Sequence, residues 1–585
     1  MRNTGAVLRV IGKSDQNTFI LIVGYNFAVS GRGRVRYATR SWRWIGSLGM
    51  LIFAAMATPT SAAEQIYVQY AALELSVPVA DLEMYATEGR LSGDLATFAE
   101  YLSPKQLEQI RATLKTKLNL PPENIPSLLS TPVGEVLLAR ASKIIQSKSG
   151  GASPEALKTA LVSAAADPDG LTLLSLMRNF PDAGIQIDVT EGLALLQMMR
   201  QVMQQTNAAV ALVQQRSAGA ASPDQSVAEL QALQQPGSFT WKTQTLRLQD
   251  RTPKRLRLTG KARQFPADLY LPDRSDPAPV IVISHGFSSD RLAYASLAQH
   301  LASHGFAVAV PEHPGSSAAH TRAWLAGEVG DMSQALEFID RPLDVTFLLD
   351  QLARRSPASL RKRLNLKQVG VVGHSFGGYT GLALGGGTLN FSTLRQDCGP
   401  QVEETLNISQ ILQCQALDVP LKKYALRDSR VKAVLAISPI TSSIFGSEGL
   451  GQINAPVMMV SGSMDTVTPS LQEQIQPFTW LPQTHKYLVL IESASHFSTQ
   501  DERPAAQTLW TLPPEFVGPT PNVARQYLKA LGTIFFQTHL QGQPSEALSS
   551  GAVQQLSQSS LPLSLIRQLS PQDLMPVLET ARVPQ

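Results

Sequence analysis

Cysteine is almost missing from this chain: Cys398 and Cys414 are the two in 585 residues. No set of Cys, His and carboxylate side chains has the spacing that holds zinc, and no glycine-rich loop of the phosphate-cradling kind is present, so no cofactor and no metal are expected. Long apolar runs are also lacking. The longest, Trp44 to Ala57, is too short for a comfortable membrane span. Nor is there a surplus of one charge once the N-terminus is set apart. The whole chain carries +4, but residues 1–63 hold eight Lys or Arg and one Asp, and taking that +7 from +4 leaves −3. Such a balance leaves no footprint for nucleic acid and fits a soluble protein that does not steer strongly charged ligands.

The N-terminal basic residues have another reading. Arg40 and Arg43, the apolar stretch Trp44 to Ala57, and then Thr60-Ser61-Ala62-Ala63 form the pattern of a secretory signal, with cleavage expected after Ala62 or Ala63. An uncleaved membrane anchor is the competing reading. Arg32-Gly33-Arg34-Val35-Arg36 suggests that translation starts nearer Val35. Residues 1–63 are therefore set aside as leader and signal, and the mature chain is expected in the periplasm or outside the cell. In such an oxidising compartment Cys398 and Cys414 can form a disulfide, with two unrelated thiols as the alternative.

What is present is a hexapeptide, Gly373-His374-Ser375-Phe376-Gly377-Gly378, straight after the apolar run Val369 to Val372. It has the Gly-x-Ser-x-Gly form of a nucleophile elbow, in which a strand turns sharply into a helix and presents a serine hydroxyl above the sheet. The small flanking residues let strand and helix pass closely. A lone serine is a poor nucleophile and requires a base, an orienting acid and donors for an oxyanion. Pro456 to Val460 reads as a short strand, with Asp465 in the loop after it. Tyr487 to Ile491 is the next, with His496 in its loop. His496 is the candidate base and Asp465 the candidate acid, although an aspartate before Thr466-Val467-Thr468-Pro469 can also begin a turn or cap a helix. Upstream, Val280 to Ile283 leads into Ser284-His285-Gly286-Phe287. The backbone N–H groups of Phe287 and Phe376 are the expected oxyanion donors.

With these residues in place, the stretch from about Trp241 to His539 resembles a serine α/β-hydrolase. Ser284 to Phe287, Leu301 to His313, the elbow, and Arg341-Pro342-Leu343-Asp344-Val345 are similar to platelet-activating-factor acetylhydrolases and dienelactone-hydrolase-like enzymes. The resemblance implies a serine esterase acting on acyl esters, with phospholipids bearing short acyl chains as one substrate class. Two departures are visible. Dienelactone hydrolases have cysteine at the elbow, where this chain has serine. In the acetylhydrolases the acid follows the strand after the nucleophile unit, which here is Val431 to Ile437. The loop Ser438-Pro439-Ile440-Thr441 carries no carboxylate, so Asp465 is expected to serve one strand later. The whole chain also resembles cyanobacterial α/β-hydrolases that carry an uncharacterised helical domain ahead of the catalytic one.

The pattern of apolar runs fits that fold class: a mostly parallel sheet flanked by helices over 237–542, with Trp241 to Leu248 and Ala267 to Leu271 as leading antiparallel strands and a cap insert at 385–430. Ahead of it, 64–216 reads as a mostly α-helical accessory domain. Ser103-Pro104-Lys105-Gln106 is a full helix-start signature, and Ser153-Pro154 and Thr190-Glu191 open further helices. The stripe Leu196, Met199, Val202, Met203 is expected in its core, with a lipid-facing surface as the alternative. Residues 217–236 read as a linker. The tail 543–585 reads as helical, with segments Leu563 to Leu569 and Gln572 to Ala581. Leu569-Ser570-Pro571 echoes Leu102-Ser103-Pro104, and a tail packed on the N-terminal domain would follow if the echo is a repeat. The expectation is an exported serine carboxylic-ester hydrolase working through an acyl-enzyme on a small ester or lipid, with peripheral membrane contact possible. The alternative is a catalytically silent binding or scaffold protein of the cell envelope built on the same fold.

Overall fold

The computed structural model describes residues 62–579 apart from 71–72, 101, 119–120, 219–223, 333–334, 355–357, 400–401, 403, 421–422, 483–484 and 504–513. The signal reading therefore lies outside the described residues, save for Ala62 and Ala63. No helix among the described residues is long and apolar enough to cross a membrane.

The first part of the chain is mostly helical, as expected, but its helices gather around a small sheet that the sequence reading missed. Strands β1 (Gln65–Tyr70), β2 (Leu73–Pro78), β3 (Ile145–Ser147) and β4 (Gly184–Asp188) lie in the order β2-β1-β4-β3. Ile66 and Ile185 pack there with Leu157, Ala160 and Phe180. The helix-start signatures are realised. Ser103 Oγ accepts from Gln106 N–H at 3.3 Å while Gln106 Oε1 accepts from Ser103 N–H at 2.9 Å, a reciprocal cap that satisfies two orphan donors. Ser153 Oγ accepts from Ala156 N–H at 3.1 Å.

Three expectations need correction. The long helix Val189–Ser217 opens on Asp188, whose Oδ1 accepts from Glu191 N–H at 3.1 Å, and not on Thr190. Its apolar stripe is not core: Leu196 is 38% and Met203 58% exposed, and the buried positions are Ala209, Val210 and Val213. The helix buries only its C-terminal half because that half lies on the second domain, where Ser217 Oγ accepts from Leu565 N–H at 3.0 Å. Nor is 217–236 a free tether. It contains the helix Asp224–Ala232, with Leu230 fully buried and Glu229 accepting from Ser545 Oγ.

The second domain has the expected α/β-hydrolase architecture. Its strands are β5 (Trp241–Asp250), β6 (Arg263–Pro272), β7 (Ala278–Ser284), β8 (Ala307–Pro311), β9 (Leu364–His374), β10 (Val431–Ile437), β11 (Val457–Gly462), β12 (Lys486–Ile491) and β13 (Leu563–Ile566). They form one sheet in the order β13-β12-β11-β10-β9-β7-β8-β6-β5. The six strands from β8 to β12 run parallel, and β5, β6 and β13 pair antiparallel at the two ends. β7, β8, β11 and β12 are buried along their whole length, which is why they read as unbroken apolar runs. β13 corrects the tail: Leu563–Ile566 is a strand on the edge of β12, not a helix. Four residues, Leu563-Ser564-Leu565-Ile566, are too few to separate the two states by periodicity, and the free edge of β12 decides it. The helix Pro571–Glu579 does form, and Ser570 and Asp573 cap each other as Ser103 and Gln106 do. The tail also touches the N-terminal helix, through Arg216 with Asp573 and Gln205 Nε2 with Leu578 O at 3.1 Å.

Two features hold the nucleophile helix and its cap. Pro342 lies inside the helix Glu337–Arg354 and cannot donate to Phe338 O four residues back; the Tyr379 hydroxyl takes that acceptor at 2.7 Å. In the cap insert, the helices Phe391–Asp397 and Ile408–Cys414 are joined by the disulfide Cys398–Cys414. Val136 of the first domain packs on Val402, Ile411 and Cys414, and Arg140 donates to Thr405 O at 3.2 Å. The first domain therefore rests on the cap.

Candidate active site

β9 ends at His374 and the helix Phe376–Gly385 begins two residues on, so Ser375 alone makes the turn, with φ 55° and ψ −116°. A non-glycine residue held there costs about 1–3 kcal/mol, which the surroundings must impose. They do so in two ways. Ser375 N–H donates to Ile437 O at the end of β10, at 2.8 Å. The strand and helix also press so close that a Cβ on Gly377 would lie 2.0 Å from Ser284 O, and one on Gly373 1.9 Å from Gly377 O.

Asp465 follows β11 and His496 follows β12, both at the same end of the parallel strands as Ser375. His496 Nδ1 and Asp465 Oδ2 are hydrogen-bonded at 2.8 Å. The remaining lone pairs of Asp465 are filled: Oδ1 accepts from Val467 N–H at 2.9 Å and Thr468 N–H at 2.7 Å, and Oδ2 accepts from Thr468 Oγ1 at 2.8 Å. Burial alone would raise the Asp465 pKa, but attraction to His496 and the hydrogen bonds from His496 and Thr468 outweigh it and hold the group below its usual value. Asp465 is thus an ionised carboxylate that fixes the Nδ1–H tautomer of His496 and leaves Nε2 as the working edge.

Asp465 and His496 meet directly; Ser375 reaches them through its neighbour. No hydrogen bond among the described residues joins Ser375 Oγ to His496. Instead His374 Nε2 and His496 O are 2.9 Å apart, and the two rings lie 4.6 Å centroid to centroid. Burial, with repulsion from His496, pushes His374 down to about 3, so it is a neutral donor at ordinary pH. Gly286 completes the approach: a Cβ there would lie 2.9 Å from His374 Nδ1, so the loop carrying Phe287 runs against the elbow that carries Phe376.

The loop after β10, which has no carboxylate of its own, receives one from elsewhere. Glu473, in a π-helical turn (Leu471–Ile475), is fully buried and accepts from Thr441 N–H at 2.6 Å, Ser442 N–H at 3.0 Å and Gln413 Nε2 at 2.9 Å, as well as from Asn407 Nδ2. It ties the cap helix Ile408–Cys414 to the loop behind the elbow. Thr468, His374 and Glu473 were not singled out as site residues from sequence. Thr468 had a signal, three positions after an aspartate in a turn, and His374 occupies the variable position of the elbow. Glu473 had none. Among the described residues, no group of three or more His, Cys, Asp or Glu side chains could hold a metal ion.

Two family matches and one curated relative bear on the fold. Residues 62–188 match the family described as alpha/beta hydrolase of unknown function (DUF1400), and residues 268–338 match platelet-activating factor acetylhydrolase, isoform II. A platelet-activating factor acetylhydrolase from Cavia porcellus is 29% identical in an alignment 181 residues long that covers 24% of this chain. The chain is an α/β-hydrolase related to the platelet-activating factor acetylhydrolases. It spans 40% of the length of that relative. The segment of the hydrolase that matches isoform II includes β7, Phe287 and β8, and ends three residues before Arg341.

Proposed function

We propose that this hydrolase is an exported serine esterase that cleaves acyl esters, with short-chain lipid esters as its substrate class. The observation that carries the reading is the Asp465–His496 pair, held against a strained Ser375 by His374. In this reaction Ser375 Oγ attacks the ester carbonyl carbon and its proton passes to His496 Nε2. The carbonyl oxygen takes the negative charge and faces the N–H groups of Phe287 and Phe376. The bond to the alcohol oxygen then breaks, and His496 returns the proton to that leaving group. Water attacks the acyl-enzyme in the same way, releasing the acid and restoring Ser375. The relationship to the acetylhydrolases supports the substrate class, and the Cys398–Cys414 bridge supports an oxidising compartment.

The test is hydrolysis of p-nitrophenyl acetate, butyrate, octanoate and palmitate by protein starting at Glu64, beside Ser375→Ala, with fluorophosphonate labelling of both. Labelling and short-chain activity that vanish in Ser375→Ala are expected. A preference for palmitate would replace the short-chain assignment with a lipase. Neither labelling nor activity on any ester would overturn the catalytic reading in favour of a silent scaffold.

A further inference from the structure

Arg341 lies in a motif that the catalytic residues leave unexplained. Its side chain is fully buried, and burial lowers its pKa to about 10, so the guanidinium keeps its charge at neutral pH. A buried cation is costly unless its donors are used. Among the described residues its one carboxylate contact, Glu337 at 3.8 Å, is shared, because Glu337 is also held by Arg263 through bonds of 2.7 and 3.0 Å. The donors of Arg341 go mainly to backbone and hydroxyl oxygens. Nη1 donates to His285 O at 2.7 Å, Nη2 to Gly286 O at 3.3 Å, and Nε to Ser316 Oγ at 2.8 Å. The guanidinium also lies over the ring of Phe376, with Cζ 4.4 Å from its centroid.

These contacts converge on one peptide unit. Across a trans peptide, the carbonyl of Gly286 and the N–H of Phe287 point in opposite directions in one plane. Whatever grips Gly286 O therefore aims Phe287 N–H. His285 is the second grip: its Nε2 accepts from His313 N–H at 3.0 Å, so the proton of the neutral ring is on Nδ1, which donates to Gly286 O at 2.8 Å. On the far side of Phe287, Ser288 is fixed at φ 55°, and its N–H donates to Ser316 O at 2.9 Å. Ser316 is the residue whose hydroxyl accepts from Arg341 and donates to Glu337 Oε2 at 2.6 Å.

We propose that Arg341 is a positioning residue for the oxyanion hole, orienting the Phe287 N–H through the carbonyls of His285 and Gly286 and seating the Phe376 N–H through the ring that it covers. The assignment rests on the esterase reading above. Lysine cannot replace it, since a point charge on a flexible stem lacks the fork that reaches two carbonyls and a hydroxyl together.

The test compares Arg341→Lys and Ser316→Ala with the full wild-type chain. Active sites are counted by fluorophosphonate labelling taken to completion, and kcat and KM are expressed per labelled site. Affinity for a trifluoromethyl ketone, which forms a tetrahedral oxyanion adduct on the serine, is measured alongside. For Arg341→Lys, kcat per site is expected to fall about 10²–10³-fold, with KM changed less than threefold and ketone affinity falling in proportion to kcat. Ser316→Ala keeps its backbone and tests the proposal if the arginine variant does not fold. It is expected to lose about tenfold in both kcat and ketone affinity, as for one weakened hydrogen bond. Variants that melt earlier but match wild type in kcat and ketone affinity per labelled site overturn the positioning role alone. A wild type that neither labels nor hydrolyses overturns it together with the esterase reading.

Discussion

Tyr379 completes what Pro342 leaves open. Its hydroxyl donates to Phe338 O, the acceptor that a residue with an N–H at position 342 would use, and so the nucleophile helix is pinned to the helix behind it by the defect in that helix. Tyr379→Phe strands a buried carbonyl and is expected to cost about 1–3 kcal/mol. Adding Pro342→Ala returns an N–H to Phe338 O, so the double variant should recover a good part of that loss. Urea unfolding of the cycle checks it; strictly additive effects would mean that the hydroxyl and the proline are not coupled.

Asp465 acts on His496 through a single tautomer, so Asp465→Asn should leave the fold intact and lower kcat by about 10³–10⁴-fold. Thr468→Val, which removes one donor to the same carboxylate, is expected to cost far less, about tenfold at most. The comparison is read from kcat on a p-nitrophenyl ester that the wild type accepts. Equal losses in the two variants would make Thr468, and not the tautomer, the controlling feature.

Breaking the bridge between Cys398 and Cys414 should loosen the cap before the sheet. A loop of this separation, 16 residues, contributes about 3 kcal/mol in the chain-entropy account. With both cysteines changed to serine, proteolysis is expected to cut first between 399 and 413, at a rate at least tenfold above that of the oxidised protein. An unchanged cleavage rate would show that Val136 and its neighbours hold the cap without the bridge.

Acid should unfold this protein early. His285, His300, His313 and His374 are buried, and burial depresses each, His300 and His374 to about 3. In the unfolded chain the same rings titrate near 6.5. Between pH 6.5 and about 4, the unfolded state therefore binds protons that the folded state refuses, and stability falls as pH falls. Asp340, raised to about 6 by burial, works in the opposite sense by about one proton between pH 4 and 6. His539, pushed down to about 4 by burial, adds to the histidine side, so near pH 5 unfolding takes up protons on balance and stability falls as pH falls. Urea midpoints at pH 7, 6 and 5 measure it, and a flat series would mean that these rings are charged in the folded state.

Much of the second domain was legible because its signals are local. Val431 to Ile437 reads as a strand from seven consecutive residues, and the structure gives the same bounds. Ser375, Asp465 and His496 could be nominated because each follows such a run. What escaped was set by distance along the chain. Leu563 to Ile566 became a strand because an edge lay open more than seventy residues earlier. Leu196 and Met203 repeat at helical spacing as a core stripe would, yet the helix meets its neighbours one to two turns further on. Arg341 stood out in sequence, but its grip on Gly286 O, fifty-five positions away, exists only in the fold.

The placement of β13 has a consequence for how the chain reaches its final state. Every other strand of the sheet is synthesised before it, and until Leu563–Ile566 arrives, β12 offers an open row of N–H and C=O groups on a strand that is apolar from Tyr487 to Ile491. Such an edge is a template for pairing with a second nascent chain. These four residues therefore decide whether the growing protein stays soluble, and a chain stopped before Leu563 should aggregate even with Ser375, Asp465 and His496 already made.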